Sequence, residues 1–408
     1  MAAAAGYRLM RLSLPGSPHL TYCTNIHAGE RWADIEAALR RHLLPIKAEV
    51  SPDRPMGVGL RLSAEAAEEL SAQCVLASLQ AFLRQSDLYV FTINAFPYGS
   101  FHGTRVKEQV YEPDWRDDRR LRFSNRCADL LAQLLPEGVE GSISTVPGAY
   151  KASIEGPADV ARMVELLVRH AAHLNAIASD TGKPISLALE PEPCCFLETI
   201  DEAIDFFTEH LFARPAVESF KRLTALSARE AREALHRHLG ICLDVCHASV
   251  EFEDPIECLG RLSAVGINVP KIQLSSALRI PSVDESAAAL LAPFDDGVYL
   301  HQTVEAHGGR LTRYCDLPDA FSALRGGQAG GEWRVHCHVP LFQSEFGALH
   351  STQGALSDVL AACRRHTLAP HLEVETYTWD VLPAAMRGVD VGSDIARELK
   401  WVRSQLGA

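Results

Sequence analysis

The stretch that decides the fold prediction is Gly240-Ile241-Cys242-Leu243-Asp244-Val245-Cys246-His247. It follows a helix end and is typical of a short buried strand, whose side chains alternate between two faces. Ile241 and Leu243 would point one way, and Cys242 and Asp244 the other. Asp244 then ends the strand, and His247 lies where the chain turns out of the sheet. A carboxylate and an imidazole delivered together suit a divalent metal site or an acid–base pair.

The same alternation occurs in several other stretches of the chain. Apolar residues occupy one face of each predicted strand, and a polar residue ends the other face. These polar residues are Glu190 after Leu187–Leu189, Gln273 after Lys271 and Ile272, Glu375 with Glu373 on the same face, and His336 and His338 within Trp333–Pro340. If the strands are parallel and neighbouring, their polar ends meet in one volume.

Strand and helix patterns alternate about eight times without a break in composition. This rhythm favours a single (β/α)8 TIM barrel over residues 1–408, with an irregular insertion over 280–332. In such a barrel the polar face is the lumen, and active sites form at the carboxyl ends of the strands. No GxGxxG follows the first strand and no GxxxxGK[ST] occurs, so no nucleotide cofactor is expected.

Composition narrows the range of partners. The chain has 408 residues, 47% of them apolar, and a net charge of −13. This charge argues against a nucleic-acid partner, because phosphate binding usually leaves a basic footprint. The eleven cysteines are scattered, which is typical of reduced, buried thiols in a cytoplasmic protein. No apolar run reaches the length of a membrane span, so no membrane insertion is expected.

Carboxylates that converge in a barrel mouth repel one another and lose hydration unless a cation lies among them. Oxygen-rich ligation with one imidazole suits Mn²⁺, Mg²⁺ or Co²⁺, and Zn²⁺ is also compatible. Each residue alone has a simpler interpretation. Glu190 could form a salt bridge, Asp244 could cap the following helix, and His336 and His338 could be structural histidines. The metal site is predicted because several strands place such residues in the same volume.

Further polar residues follow the first three predicted strands and are candidates for holding substrate oxygens. With His336 and His338, these predicted substrate-binding residues are His27, Arg61, Asn94, His102 and Lys107. His102 and Lys107 lie in a loop and could equally be ordinary surface residues. Four aromatic residues could wall the pocket, namely Phe96, Tyr98, Phe101 and Trp115.

The strand pattern resembles the xylose-isomerase-like barrels, the AP endonuclease 2 superfamily that also holds endonuclease IV. The carrying stretches are Gly240–Ala248, Leu187–Pro191, Lys271–Ser275 and Glu375-Thr376. The resemblance implies Glu190, Asp244, Gln273 and Glu375 as metal ligands, with Glu373 as an alternative to Glu375. It also implies His247 as a second ligand or a substrate contact. A His commonly stands where this chain has Gln273. A neutral amide binds zinc weakly, which counts against a multi-zinc nuclease site.

More narrowly, the chain is similar to the EboE family of metabolite-traffic proteins. The similarity covers Leu20–Trp32, Asn94–Gly103, Val110–Trp115, Trp333–Phe342 and Leu372–Pro383. It implies a small-molecule metabolite as partner, from secondary metabolism, and association with other proteins of the same traffic pathway.

Three functions are compatible with these residues. The first is metal-dependent isomerisation or epimerisation of a small polyhydroxy or keto compound, with Glu190, Glu375 and His247 as catalytic residues. The second is a non-catalytic carrier of a metabolite. The third is metal-dependent phosphodiester hydrolysis, as in the endonuclease relatives.

Overall fold

The computed structural model describes residues 11–102, 105–379, 382–383, 387–388 and 390–407. The predicted positions Gly103, Asp380 and Val381 fall outside these residues. The strands in chain order are β1 (His19–Tyr22), β2 (Met56–Arg61), β3 (Leu88–Asn94), β4 (Gly141–Thr145), β5 (Ile185–Leu189), β6 (Leu239–Asp244), β7 (Asn268–Leu274), β8 (Ala277–Ile280), β9 (Thr303–His307), β10 (Arg310–Tyr314), β11 (Glu332–His338), β12 (Glu345–Phe346), β13 (Leu349–Ser351) and β14 (His371–Val374).

Helices connect the strands, as the repeated strand–helix rhythm predicts. They are α1 (Trp32–Val50), α2 (Ala64–Leu70), α3 (Gln73–Gln85), α4 (Asp118–Leu134), α5 (Pro157–Thr181), α6 (Ile200–Phe206), α7 (Arg214–Thr224), α8 (Ala228–His238), α9 (Val245–Val250), α10 (Pro255–Ala264), α11 (Glu285–Leu291), α12 (Leu317–Arg325), α13 (Gln353–Cys363) and α14 (Val391–Leu406). None of the described helices is both long and apolar enough to cross a membrane.

Eight parallel strands form the main sheet, in the order β1-β14-β7-β6-β5-β4-β3-β2. The two edge strands meet through a parallel bridge between Cys23 and Gly59, which nearly closes the barrel. Threonine hydroxyls add to this seam: Thr21 Oγ1 accepts the Gly59 N–H at 2.9 Å, and Thr24 Oγ1 accepts the Arg61 N–H at 2.9 Å. The arrangement confirms the predicted TIM barrel.

Gly59 lies where β2 packs closely against β1 and against a carboxylate in the lumen. A Cβ atom added there would lie 1.8 Å from Glu373 Oε1 and 2.7 Å from the Tyr22 carbonyl oxygen. No side chain can occupy that space without displacing backbone. Gly59 therefore allows β2 to approach both β1 and a buried lumen carboxylate.

A second sheet is inserted between β7 and β14. Its six strands are antiparallel, in the order β10-β9-β11-β8-β13-β12, and they span residues 277–351. The segment predicted to be irregular thus contains much of a regular sheet. The strand predicted within Trp333–Pro340 exists as β11, but the prediction that it lines the barrel lumen is wrong. Because β11 pairs with β8 and β9, its backbone hydrogen bonds belong to the inserted sheet.

The apolar faces of the barrel strands are buried as the alternation predicts. Leu187, Leu189, Ile241, Ile272 and Leu274 are completely inaccessible to solvent. The opposite faces fill the lumen with polar groups in layers. Lys271 and Glu373 are both fully buried, and Lys271 Nζ lies 2.5 Å from Glu373 Oε2. All eleven cysteines are free thiols, most of them buried.

Candidate metal centre

Three carboxylates meet at the carboxyl ends of the barrel strands. Glu190 directly follows β5, Asp244 ends β6, and Glu375 directly follows β14. One oxygen from each lies within 4.8 Å of the other two, and all three side chains are buried. Parallel strands deliver their carboxyl ends to one edge of a sheet, and barrel closure brings these three ends around one volume.

The two carboxylate oxygens of Asp244 have different surroundings. Its Oδ1 caps α9 by accepting the His247 N–H at 2.9 Å, and it also accepts the Ser275 hydroxyl at 2.7 Å. Its Oδ2 is buried and has no hydrogen-bond partner in the described part of the chain. The helix-cap interpretation and the ligand interpretation are therefore compatible, because each uses a different oxygen.

Glu375 is held by two amides from the first and third strand ends. Asn25 Nδ2 donates to Glu375 Oε1 at 2.8 Å, and Asn94 Nδ2 donates to the same oxygen at 3.2 Å. Glu190 is less constrained, because its Oε2 is buried without a partner among the residues described. The two carboxylates thus differ: one is oriented by donors, and the other presents an unsatisfied oxygen.

The pKa values reflect this crowding. Burial raises the pKa of Glu190 well above its usual value, and the nearby charges of Glu375 and Asp244 raise it further. Burial, Asp244 and Glu373 likewise raise the pKa of Glu375. For Asp244, burial is outweighed by His247, His338 and the hydrogen bonds to Oδ1, so its pKa is lowered. A cation bound between the two glutamates would therefore stabilise their ionised carboxylates more than it would that of Asp244.

Three histidines face the carboxylates from the other side. His247 lies on α9, and His336 and His338 lie on β11 of the inserted sheet. His247 Nε2 is 3.1 Å from His336 Nε2 and 4.0 Å from Asp244 Oδ2, and His338 Nε2 is 3.9 Å from Asp244 Oδ2. Burial lowers the pKa of His338 to about 4, despite the favourable charge of Asp244. Burial, His247 and His338 also lower the pKa of His336 well below its usual value.

Gln273 and Glu373 lie on the lumen side beside the carboxylates. Gln273 is in register with Asp244 on one side and Glu373 on the other. It is fully buried, and neither of its amide atoms has a partner among the residues described. Glu373 is paired with Lys271 instead of joining the cluster. Burial alone would lower the pKa of Lys271, but the facing Glu373 carboxylate raises it.

Arg61 and His27, both predicted to bind substrate, have protein partners. The Arg61 guanidinium donates to the carbonyl oxygens of Gly29 and Gly99 and to the Glu30 carboxylate. His27 Nε2 lies 2.9 Å from the Tyr22 hydroxyl, and its ring stacks on His42 in a different cavity beside α1. Arg61 therefore joins two loops, and His27 lines a cavity separate from the mouth.

The two loop residues occupy different environments. Lys107 lines the mouth cavity and is paired with Asp316 of the inserted segment. His102 packs edge-on against Phe101, and both of its ring nitrogens are buried without a hydrogen-bond partner in the described residues. Burial lowers the pKa of His102 to about 4, and the Arg61 charge adds to this effect. Neither residue is an ordinary exposed side chain.

The sequence analysis missed Asn25, Glu192 and Tyr377 as parts of this site. Glu192 accepts the Tyr111 hydroxyl at 2.7 Å, and its Oε1 is 3.5 Å from His336 Nδ1. Tyr377 lines the same cavity. Asn25 and Glu192 follow strand ends, so their position was a usable signal. Nothing in the local pattern marks Tyr377.

A cavity that opens to solvent lies above the carboxylates. Its floor is polar and its upper wall is largely apolar. Phe96 and Phe101 line it, as predicted. Tyr98 packs against Phe123 instead, and the buried Trp115 donates its Nε1–H to Thr145. Residues Tyr299 and Leu300 of the inserted segment also contribute to the wall.

The buried donor set fits a divalent cation. Glu190 Oε2, Asp244 Oδ2 and His338 Nε2 are candidate ligand atoms that lack hydrogen-bond partners in the described ranges. Asp244 belongs both to the cluster with Glu190 and Glu375 and to a second cluster with His247 and His338, so this carboxylate lies where the two donor sets meet. The chemistry of the set, carboxylates with imidazoles, is suited to Mn²⁺, Co²⁺ or Zn²⁺.

The fold and site together define a TIM barrel with a candidate metal centre at its mouth. No protein-family model matches the chain, and no curated protein matches it. Among solved structures, it is similar to the probable 3-DHS dehydratase AsbF from Bacillus anthracis, with 12% identity, a TM-score of 0.46 and coverage of 94% of this chain and 97% of that chain.

Two further solved structures are similar to this chain over most of its length. One is the IolI protein with a binding zinc atom, with 13% identity, a TM-score of 0.46 and coverage of 95% and 98%. The other is an L-ribulose 3-epimerase, with 11% identity, a TM-score of 0.48 and coverage of 96% and 94%. With TM-scores below 0.5, these likenesses carry no information on the reaction or substrate of this chain.

Proposed function

We propose that this chain is a divalent-metal-dependent enzyme that isomerises or epimerises a small polyhydroxy or keto compound. The observation that carries the proposal is the buried trio of Glu190, Asp244 and Glu375 beneath the cavity at the barrel mouth. Burying three carboxylates together is costly unless a cation compensates them. A mouth cavity with a few polar groups at its floor and aromatic walls is typical of a small-molecule site.

The two glutamates are suited to moving a proton. They come from β5 and β14, which are separated in the sheet by β6 and β7, and both line the cavity. Two carboxylates that approach a substrate from different strands can remove a proton at one carbon and return it at another position. The amides of Asn25 and Asn94 orient Glu375 for this purpose. His247, also in the cavity wall, is the third candidate acid–base group.

Glu190, Asp244 and Glu375 would hold the cation, and the buried Gln273 amide is the fourth predicted ligand. When bound, a divalent cation would polarise a substrate carbonyl and acidify its neighbouring C–H or hydroxyl group. Phe96, Phe101 and Tyr377 line the cavity above this floor, and apolar surroundings strengthen electrostatic interactions.

The resemblance to the EboE family suggests which class of small molecule the substrate belongs to. We infer a secondary-metabolite precursor, handled together with other proteins of the same traffic pathway. A carrier that binds the metabolite without transforming it is the alternative. It gains support if purified protein holds no stoichiometric metal.

A solvent-exchange experiment tests the proposed chemistry. Protein loaded with Mn²⁺ or Co²⁺ is incubated in D₂O with a panel of small ketoses and hydroxyketones, and deuterium at the carbon next to the carbonyl is followed by NMR. We expect exchange that is lost in Glu190→Gln and Glu375→Gln. Stoichiometric metal without exchange in any member of the panel would argue against proton transfer.

The three imidazoles favour one further candidate, metal-dependent phosphodiester hydrolysis. His336 and His338 supply nitrogen ligands that the barrel strands themselves lack. Nicking of an abasic duplex by the metal-loaded protein would support this candidate. The net charge of −13 argues against a duplex substrate.

A further inference from the structure

Two histidines of the inserted sheet lie against a histidine of the barrel. His336 and His338 are two residues apart on β11, and both are buried. Their rings face that of His247 from α9, with centroid distances of 4.5 Å and 5.8 Å. The groups around Nδ1 of each ring show which of its two nitrogens carries the proton.

The Nδ1 atom of each ring faces a hydrogen-bond acceptor. His247 Nδ1 lies 2.9 Å from the Pro191 carbonyl oxygen, and His338 Nδ1 lies 2.7 Å from the Glu375 carbonyl oxygen. A carbonyl oxygen only accepts, so both Nδ1 atoms carry the proton. His336 Nδ1 lies 2.8 Å from Gln302 Oε1, whose amide nitrogen donates to Tyr111 and Glu192. The same tautomer follows for His336.

These tautomers leave an unprotonated Nε2 on each ring, and His336 Nε2 also lies 3.5 Å from the Tyr377 hydroxyl. In the neutral rings, His247 Nε2 and His336 Nε2 lie 3.1 Å apart with no hydrogen between them. Two lone pairs at this separation repel unless a proton or a cation lies between them. Ligands at tetrahedral zinc, with Zn–N bonds of roughly 2.0–2.1 Å, lie about 3.4 Å apart, close to the observed spacing.

We propose that the inserted sheet completes the metal centre: His338 with His247 and the free Oδ2 of Asp244, and His336 through its contact with His247, supply ligands for a divalent cation such as Zn²⁺ or Co²⁺. This inference deepens the proposed function and rests on its metal dependence. It makes His247 a ligand, and the acid–base role stays with Glu190 and Glu375. The Nδ1 hydrogen bonds act as the outer shell that orients each imidazole. The insertion is then a part of the active centre and not only a cover for it.

Metal titration of matched variants tests the proposal. His336→Asn and His338→Asn each keep an amide donor near the position of Nδ1 but remove Nε2. His307→Asn, at an exposed site on β9 of the same sheet, is the control. We expect Zn²⁺ or Co²⁺ affinity to fall by more than the roughly 10–100-fold typical of a lost outer-shell partner. The control should bind metal as the wild type does. Unchanged affinity in both β11 variants would overturn the proposal.

X-ray absorption of the Co²⁺-loaded wild type keeps the test decisive if a variant misfolds. Imidazole scattering from two or more histidines supports the proposal, and an all-oxygen shell overturns it. The double variant Glu190→Gln with Glu375→Gln separates this proposal from the proposed function. Metal retained by imidazoles in that variant, with no proton exchange in the wild type, would refute the proposed function alone. A wild type that binds no divalent metal would refute both.

Discussion

Lys271 Nζ lies 2.5 Å from Glu373 Oε2 inside the barrel lumen, and both side chains are completely buried. The two residues come from the neighbouring strands β7 and β14. Lys271 therefore neutralises Glu373, which leaves Glu375 as the last-strand carboxylate available for a cation. Glu375, which directly follows β14, is the one of the two glutamates that lines the cavity.

Breaking this ion pair should be costly. Lys271→Met leaves Glu373 buried and uncompensated, and we expect a loss of about 3–5 kcal/mol in the free energy of unfolding. Lys271→Met combined with Glu373→Leu should lose less than the sum of the single changes, because no unpaired charge remains. Urea unfolding checks both. Lys400→Met, which breaks an exposed pair with Glu49, should cost no more than about 1 kcal/mol.

Asp244→Asn should separate the two roles of this residue. Asparagine still caps α9 through its oxygen, so we expect little change in unfolding free energy, but the charge needed for metal binding is lost. Elemental analysis of protein purified without chelator should show a clear drop in metal content. Asp254→Asn makes the same change at the cap of α10 and should leave metal content unaltered. Equal metal in both variants would contradict a ligand role for Asp244.

Gly59→Ala should destabilise the seam of the barrel. The added methyl group would meet Glu373 and the Tyr22 carbonyl, and overpacking of this kind costs about 1–3 kcal/mol or more. Gly260→Ala is the matched control, because a Cβ there meets nothing within 4 Å and the residue lies inside α10. That change should stabilise the protein by about 0.5–1 kcal/mol. Thermal and urea unfolding distinguish the two variants.

Glu398 should make stability depend on pH. Burial raises the pKa of this α14 carboxyl to about 8, although it accepts hydrogen bonds from Leu341 and Thr376. The folded state therefore retains a proton that the unfolded chain loses near pH 4.5. This contribution to stability is present at low pH and disappears as pH rises toward 8.

Glu398→Gln removes that dependence while keeping an acceptor oxygen. Between pH 5 and 8, the stability of the wild type relative to the variant should fall by up to about 1.4 kcal/mol per pH unit. Urea unfolding at four pH values measures the slope. Glu209→Gln removes the same charge from an exposed position and serves as the control. A difference between wild type and Glu398→Gln that is constant with pH would refute the assignment.

Much of the barrel could be predicted from the sequence because its signals are local. The alternation around Leu187–Glu190 and Ile241–Asp244 fixes which face is apolar and where each strand ends. Parallel connection then brings those ends to one edge, so Glu190, Asp244 and Glu375 could be grouped before any coordinates were known. Whether they bind metal remains a prediction.

The inserted sheet could not be predicted in the same way. β11 alternates like a barrel strand, and alternation alone does not say which sheet a strand joins. Its antiparallel partners β8 and β9 are 20 or more residues distant in sequence, and their pairing is a tertiary choice. Arg61 shows the same limit, because a strand-end cation is equally suited to a substrate and to the carbonyl oxygens of Gly29 and Gly99.

The sequence by itself determined the strand–helix rhythm and the carboxylates at the strand ends, since both depend on side-chain periodicity along short segments. Only the tertiary structure decided the partners of those groups. It paired Glu373 with Lys271, left Asp244 Oδ2 open, and brought His336 and His338 to the barrel mouth from another sheet. Contacts between residues far apart in the chain depend on packing and strand pairing, and local patterns carry no record of them.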